Sequence, residues 1–342
     1  MRFVSTLNYG RDLNSIDQLT ENDVLHIYDL FDYEYISALF AKKGRPKYIV
    51  TDHGGPIDYP DIKIYSLPLF AADAAEWVKP VPNLDIQPRA TFNFLLNKKQ
   101  LNRFLCLKFV EFFGLTNYEY THSGYNEKFD MSEIIQELDL LGDQAPLTEH
   151  SRGFILSPST IPPKFYLTGN DDNAIPGVKL STGHNIYGNH QQAIIENSMI
   201  SLITESSWGQ GQCGAVITEK TLFPVIGKTL PIWIGGWQQA NSWQHMGFDV
   251  FNDVINHNYQ NYKTQIERCY YAFADNLELL SNYEKTAKLH QQLMPRLQRN
   301  RELVLTRQLT NYSRDKIANW PADLQSIELD LIKLFPHIKD FF

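Results

Sequence analysis

Thr218-Glu219-Lys220-Thr221, followed by Pro224, is the stretch of this chain whose residue types and spacing come closest to a chemical device. A proline in a helix interior forfeits a hydrogen bond and crowds the carbonyl four residues back, so the first turn is where it is tolerated. Placing Pro224 in that turn starts the helix near Thr221, whose hydroxyl can cap it, and leaves Glu219 and Lys220 at its mouth. The free N–H groups, the positive end of the helix dipole and the Lys220 ammonium then form an anion site that suits a diphosphate. Glu219 cannot serve a phosphate, because like charges repel, but beside one it can accept hydrogen bonds from ribose hydroxyls. An isolated Glu-Lys pair is ordinarily a solvated pair at a helix start. The setting singles this one out: Glu205-Ser206-Ser207 ends the preceding strand, and the glycine-rich run Gly209 to Gly214 follows over the same crevice.

The elements that position these groups are read from periodicity. Met199 to Thr204 is a strand, the Pro224 segment a helix, and Pro231 to Ile234 a second strand ending at Gly235-Gly236. Upstream, Ala90 to Leu96, Leu101 to Phe113 and Tyr118 to His122 read as strand, helix and strand, with Lys98, Lys99 and Arg103 clustered where the helix begins. The first ninety residues show four short strands, Met1 to Leu7, Asp23 to Tyr28, Lys47 to Thr51 and Lys63 to Leu67, with a helix at Tyr35 to Lys42. Asp52-His53-Gly54-Gly55 follows the third of them directly. Lys79 to Pro88 carries three prolines and is expected to skirt the surface. After Tyr259 the chain turns helical, over Asn261 to Leu280, Asn282 to Gln308 and Ala322 to Phe335.

Bulk properties bound the class. At 342 residues the chain is long for one core, which predicts two domains, placed at 1–165 and 166–342 across the proline-rich middle of the chain. A net charge of −8 excludes a surface that is basic throughout, the usual footprint of a nucleic-acid binder. No apolar run is long enough to span a membrane, and the N-terminus lacks the pattern of a secretory signal. Cys106, Cys213 and Cys269 are odd in number and widely spaced, as reduced thiols are, so a cytoplasmic protein is expected.

Several tempting motifs fail on spacing. Gly227-Lys228-Thr229 lacks the glycine a P-loop needs five positions earlier, where Leu222 stands. The ten histidines include no His-Glu-x-x-His. Glu137-Leu138-Asp139 lies within a helical pattern and Asp171-Asp172 in a loop, so neither supplies an acidic metal site at a strand end. Trp233 reads as core, whereas Trp237, just past Gly235-Gly236, is better placed to stack on a sugar or base.

Met199 to Glu205, Val216 to Thr221 with Pro224, Pro231 to Gly235, Met246 to Phe251 and Asp253 to Tyr259 resemble the C-terminal half of the fucosyltransferase and exostosin-like glycosyltransferases, especially viral and marine bacterial relatives. The likeness covers about sixty residues and is weaker over Phe92 to Gly124. It implies a GT-B fold, two Rossmann-like domains facing each other across a cleft, here with C-terminal helices. It also implies that Lys220 contacts the donor diphosphate, that Glu219 lies by the ribose or sugar, and that Arg103 reaches phosphate across the cleft. Asn102 stands where the family often has histidine. Together with Thr221, Glu205, Ser206 and Gly235 these residues make up the expected site for a GDP- or UDP-sugar.

The expected reaction is transfer of a sugar from that donor to a hydroxyl of a glycan or other acceptor, without a metal and with inversion. Such a transfer needs a base on the acceptor side; Asp52 and His53 are best placed for it, with Asp29 and Asp32 next. Two other readings stay open. One is a sugar transferase acting on modified DNA bases, supported by eight basic against three acidic residues between Glu284 and Lys316, although nucleic acid is not the favoured partner. The other is a non-catalytic nucleotide- or glycan-binding protein with the same fold.

Overall fold

Short runs rich in β-branched and aromatic residues build four strands in the first part of the chain: β1 (Arg2–Ser5), β2 (Asp23–Ile27), β3 (Tyr48–Thr51) and β4 (Lys63–Ser66). All pair in parallel and lie side by side in sequence order. The structure, a computed structural model, describes residues 1–5, 16–27, 33–51, 62–78, 80, 87–96, 101–122, 132–141, 149–157, 159–162, 191–205, 217–262 and 264–334. Side chains on a strand alternate between faces. Accordingly Val4, Leu25, Ile27 and Ile49 pack with Leu39 and Phe40 of α1 (Tyr33–Lys43), while Val24 and Val50 face the other way, into a core shared with α2 (Leu69–Trp77).

Gly44 ends α1 with φ +85°, and a Cβ there would come within 2.4 Å of the Leu19 carbonyl oxygen. Both the left-handed backbone and the backbone clash argue against any side chain. Gly44→Ala is therefore expected to destabilise the protein by about 2 kcal/mol or more, read as a lowered urea midpoint.

A second parallel sheet comprises β5 (Ala90–Leu96), β6 (Tyr118–His122), β7 (Ser198–Thr204) and β8 (Leu230–Ile234), in the order β6-β5-β7-β8. Helix α3 (Leu101–Phe112) joins β5 to β6; α4 (Ser132–Leu141), α5 (Glu149–Leu156) and α6 (Gln192–Glu196) lie between β6 and β7; α7 (Glu219–Ile226) joins β7 to β8. From β5 the chain winds one way to β6, then returns to the other side for β7 and β8. The strand order thus reverses between β5 and β7, and right-handed crossovers put α3 and α7 on opposite faces. The packing agrees: Phe104, Leu105 and Phe109 of α3 join Phe92, Ile200 and Ile232 in one core, whereas Leu222 and Phe223 of α7 join Ile203 and Trp233 in another.

The expected boundary at residue 165 falls, along the chain, between β6 and β7 of this sheet. β5 and β6 belong with β7 and β8, so the sheets part between Val78 and Ala90, at the proline-rich stretch read as a surface crossing. Hydrogen bonding between β5 and β7 joins segments on either side of residue 165, and neither strand's own pattern names its partner. The two sheets also share one of the cores, which contains Val24 and Val50 from the first and Ile203 and Trp233 from the second.

Beyond β8 come α8 (Gln239–His245), α9 (Gln265–Ala274), α10 (Leu277–Ser281), α11 (Tyr283–Leu305), α12 (Gln308–Ala318), α13 (Ala322–Gln325) and α14 (Glu328–Leu334). Arg307, at φ 63°, breaks the expected run to Gln308 and turns the chain from α11 into α12. The last helices return to the first sheet, where Asp323 pairs with Lys47 and Trp320 lies 5.2 Å from the Tyr65 ring. No described helix is long and apolar enough to cross a membrane.

Candidate functional site

In an open parallel sheet the reversal of strand order leaves a crevice at the carboxyl ends of the strands, the usual place for a ligand. Here that place lies between the ends of β5 and β7. Asn102 and Arg103, in the first turn of α3, come from the β5 side, and Glu205 directly follows β7. Asn102 joins them: its Nδ2 donates to the Glu205 carbonyl oxygen at 2.7 Å, and its Oδ1 accepts from the Arg103 N–H at 2.9 Å. Both Asn102 and Arg103 are buried, at 0% and 3% exposure, which is unusual for polar groups with no structural work to do.

The mouth of α7 completes the cluster. Thr218 is its N-cap, with extended backbone, and its hydroxyl accepts from the Lys220 N–H at 3.2 Å. The same hydroxyl donates to the Glu205 carboxylate, whose two oxygens lie at 2.9 and 2.8 Å. Glu219 and Lys220 are thus the first two helical residues, and their side chains pair with each other. Thr221 is not the cap; its hydroxyl donates back to the Thr218 carbonyl at 2.8 Å. The helix therefore starts two residues earlier than the proline rule suggests, and Pro224 sits inside it. Having no N–H, Pro224 gives nothing to the Lys220 carbonyl. That loss falls next to the open first turn, where it interrupts least.

Glu205 is the electrostatic centre of this cluster. Burial pushes its carboxyl above the ordinary value of 4.5 and the Glu219 charge adds to the push, while Lys220, the Thr218 hydroxyl and Arg103 oppose it. A carboxyl with a raised folded pKa holds its proton more tightly folded than unfolded. Its contribution to stability is present in full below the unfolded value and is lost as pH rises through the folded one. Glu205→Gln keeps an acceptor for Thr218 but cannot ionise. The variant's stability relative to wild type is accordingly expected to increase as pH rises above 4.5 and then level off, which urea midpoints across pH will show.

Asp52, His53 and Ser206 lie outside the described residues, as do Asp29, Asp32, Lys98 and Lys99. Gly235 is buried: its carbonyl accepts from Arg268 Nη1 at 3.4 Å, and a Cβ there would meet Gln239 Oε1 at 2.1 Å. It spaces β8 from α8 and does not open onto the α7 mouth through any described contact. Trp233 is core, at 1% exposure, as expected. Gly227-Lys228 sits at the opposite end of α7 from the mouth, with Lys228 in left-handed conformation and its carbonyl accepting from His290 at 2.8 Å.

Two features escaped sequence reading. In the sequence Asn102 stands out only as a departure from a family pattern, yet it is the residue that bridges the two strand ends. Ser5 and His26 form a buried pair, Oγ to Nδ1 at 2.8 Å, at the carboxyl ends of β1 and β2. Their only advance signal was polarity at the ends of apolar strands.

The cluster gathers two cations, Lys220 and Arg103, with the first turn of α7 around the Glu205 and Glu219 carboxylates. Set against protein-family models, curated proteins and solved structures, the chain has no match.

Proposed function

We propose that the chain is a GT-B glycosyltransferase that moves a sugar from a nucleotide donor, GDP- or UDP-linked, to an acceptor hydroxyl with inversion. The observation that carries this reading is the convergence of Asn102-Arg103, Glu205 and Thr218 to Lys220 at the switch point of the second sheet. A nucleotide sugar asks for cations and N–H groups around its diphosphate and for a carboxylate near its hydroxyls, and this cluster offers both. Lys220, Arg103 and the α7 mouth would stabilise the charge that grows on the departing diphosphate, a contribution that is commonly the largest in such transfers. The Asn102 bridge and the Thr218 cap hold these groups in place before the ligand arrives, which lowers the cost of ordering them.

The reading on modified DNA gains little from the basic segment. Arg296, at its centre, is engaged by Asp249 and Asp253, and Arg314 and Lys285 have acidic neighbours in Asp315 and Glu278.

The test is a thermal-shift panel of GDP-, UDP-, dTDP- and CMP-sugars. A true donor at a hundredfold its Kd adds about 2.7 kcal/mol and raises the midpoint visibly. One or two of the four are expected to act, and slow donor hydrolysis is expected with them. Silence from all four defeats the donor reading; binding with no turnover of any kind leaves a nucleotide-binding protein in its place.

A further inference from the structure

A cavity of about 500 Å³ lies between the start of α8 and the turn that runs from Asn252 to Asn261. Its size falls within the range of small-molecule sites, about 300–1,000 Å³. Its lining is dominated by uncharged amides: Gln238 and Asn241 on one side, Asn252, Asn256, Asn258 and Asn261 on the other. The side chains of Gln238, Asn241, Asn258 and Asn261 make no hydrogen bond to any described residue.

Charge at this cavity is already balanced. Asp253 is gripped through both oxygens by Arg296, at 2.8 and 2.8 Å, and Arg296 also holds Asp249 and lies over the Phe251 ring. His257 is neutral: burial lowers its pKa to about 4, and Nε2 donates to the Val250 carbonyl at 2.8 Å. A phosphate or carboxylate would find no uncommitted cation among the lining residues, and an apolar molecule would strip water from amides without replacing their hydrogen bonds.

The frame is rigid. Asn276 holds Asn256 through its backbone N–H and carbonyl, at 2.9 and 3.1 Å, and Asn300 holds Asp249 in the same way, at 2.9 and 2.6 Å. Gln260 ties Ala240 to Trp233. All three clamping amides are at least 97% buried. Gln238, which lines the cavity, and Phe251, which precedes the lining residue Asn252, are non-glycine residues in left-handed conformation, φ 51° and 57°. Such strain costs about 1–2 kcal/mol each and persists only where surrounding structure holds it.

We propose that this cavity binds a neutral saccharide. An amide presents a donor pair and an acceptor in one plane, and adjacent sugar hydroxyls present the complementary donors and acceptors at matching spacing. The free amides are the ones facing the space, while the buried ones hold the frame. The proposal uses none of the residues of the donor site.

Saturation-transfer NMR and calorimetry on the full chain, with maltose, lactose, cellobiose, diacetylchitobiose and methyl mannoside as probes, test it. At least one probe is expected to bind saturably, with no loss on adding salt. Asn241→Ala and Asn258→Ala should each weaken it about five- to tenfold while leaving the thermal midpoint and the nucleotide response unchanged. Lys220→Ala should leave saccharide binding intact, so that failure of the donor reading and failure of this one are seen separately. The proposal is overturned if no probe saturates, if both asparagine variants bind as wild type does, or if inorganic phosphate displaces the sugar.

Discussion

Lys220→Ala is expected to abolish the thermal response to the donor nucleotide and to lower any transfer or donor hydrolysis by about 10²–10³-fold, with the fold left standing. The side chain is about a quarter exposed and its ion pair is with the adjacent Glu219, so the loss in stability should stay within about 1 kcal/mol. The loss in binding should be far larger, for a reason specific to this cluster. Lys220 opposes two carboxylates at once: it pairs with Glu219 and it pulls the Glu205 carboxyl downward against burial. Without the ammonium, Glu219 faces the mouth of α7 unbalanced and repels the very group the helix end would attract. Two controls separate the effects. Glu219→Gln in the Lys220→Ala background should recover part of the nucleotide response by removing that repulsion. Arg103→Met tests whether the β5 side of the crevice contributes charge to the same ligand. If Lys220→Ala answers the nucleotide panel as the wild type does, the anion site is elsewhere.

The strands were legible because short-range patterns report them. Arg2–Ser5, Asp23–Ile27, Tyr48–Thr51 and Lys63–Ser66 all appear within the short β-rich runs that read as strands. Long-range pairing left no such trace. That β5 sits beside β7 depends on how two apolar surfaces fit, and the segment between them carries prolines that read equally well as a boundary. The start of α7 shows the same limit on a smaller scale. Proline statistics favoured a start near Thr221, but the Thr218 hydroxyl, fixed between Glu205 and the Lys220 N–H, sets it earlier. A specific cap outweighs a general preference, because one interior proline costs a single bond in a helix of eight residues. Asn102 was hidden for a related reason: its importance lies in a contact to Glu205, which is 103 positions away in the chain.

Trp233→Ala is expected to cost about 3–5 kcal/mol, the range for truncating a large buried aromatic. Its indole stacks on Trp243 with centroids 5.4 Å apart and planes 2° from parallel, and Trp243 in turn meets Phe248 edge-on at 4.8 Å. The indole N–H donates to the Thr221 carbonyl at 3.3 Å, which pins the first turn of α7 against β8. Its own carbonyl accepts from Tyr259 and Gln260 and so anchors the turn after α8. One residue therefore braces the α7 mouth from behind and the amide-lined cavity from the side. Trp233→Phe probes the first of these roles more gently, since it keeps one aromatic ring while removing the indole donor and part of the packing against Trp243. It should cost about 1 kcal/mol and blunt the nucleotide response modestly, in proportion to a loosened α7 turn. Trp233→Ala should lower the urea midpoint severely and weaken nucleotide and saccharide binding together in whatever fraction stays folded. Should Trp233→Phe retain full stability yet lose nucleotide binding as completely as Lys220→Ala, the ring would have to touch the ligand directly. A side chain at 1% exposure could do that only if α7 moved off β8 on binding.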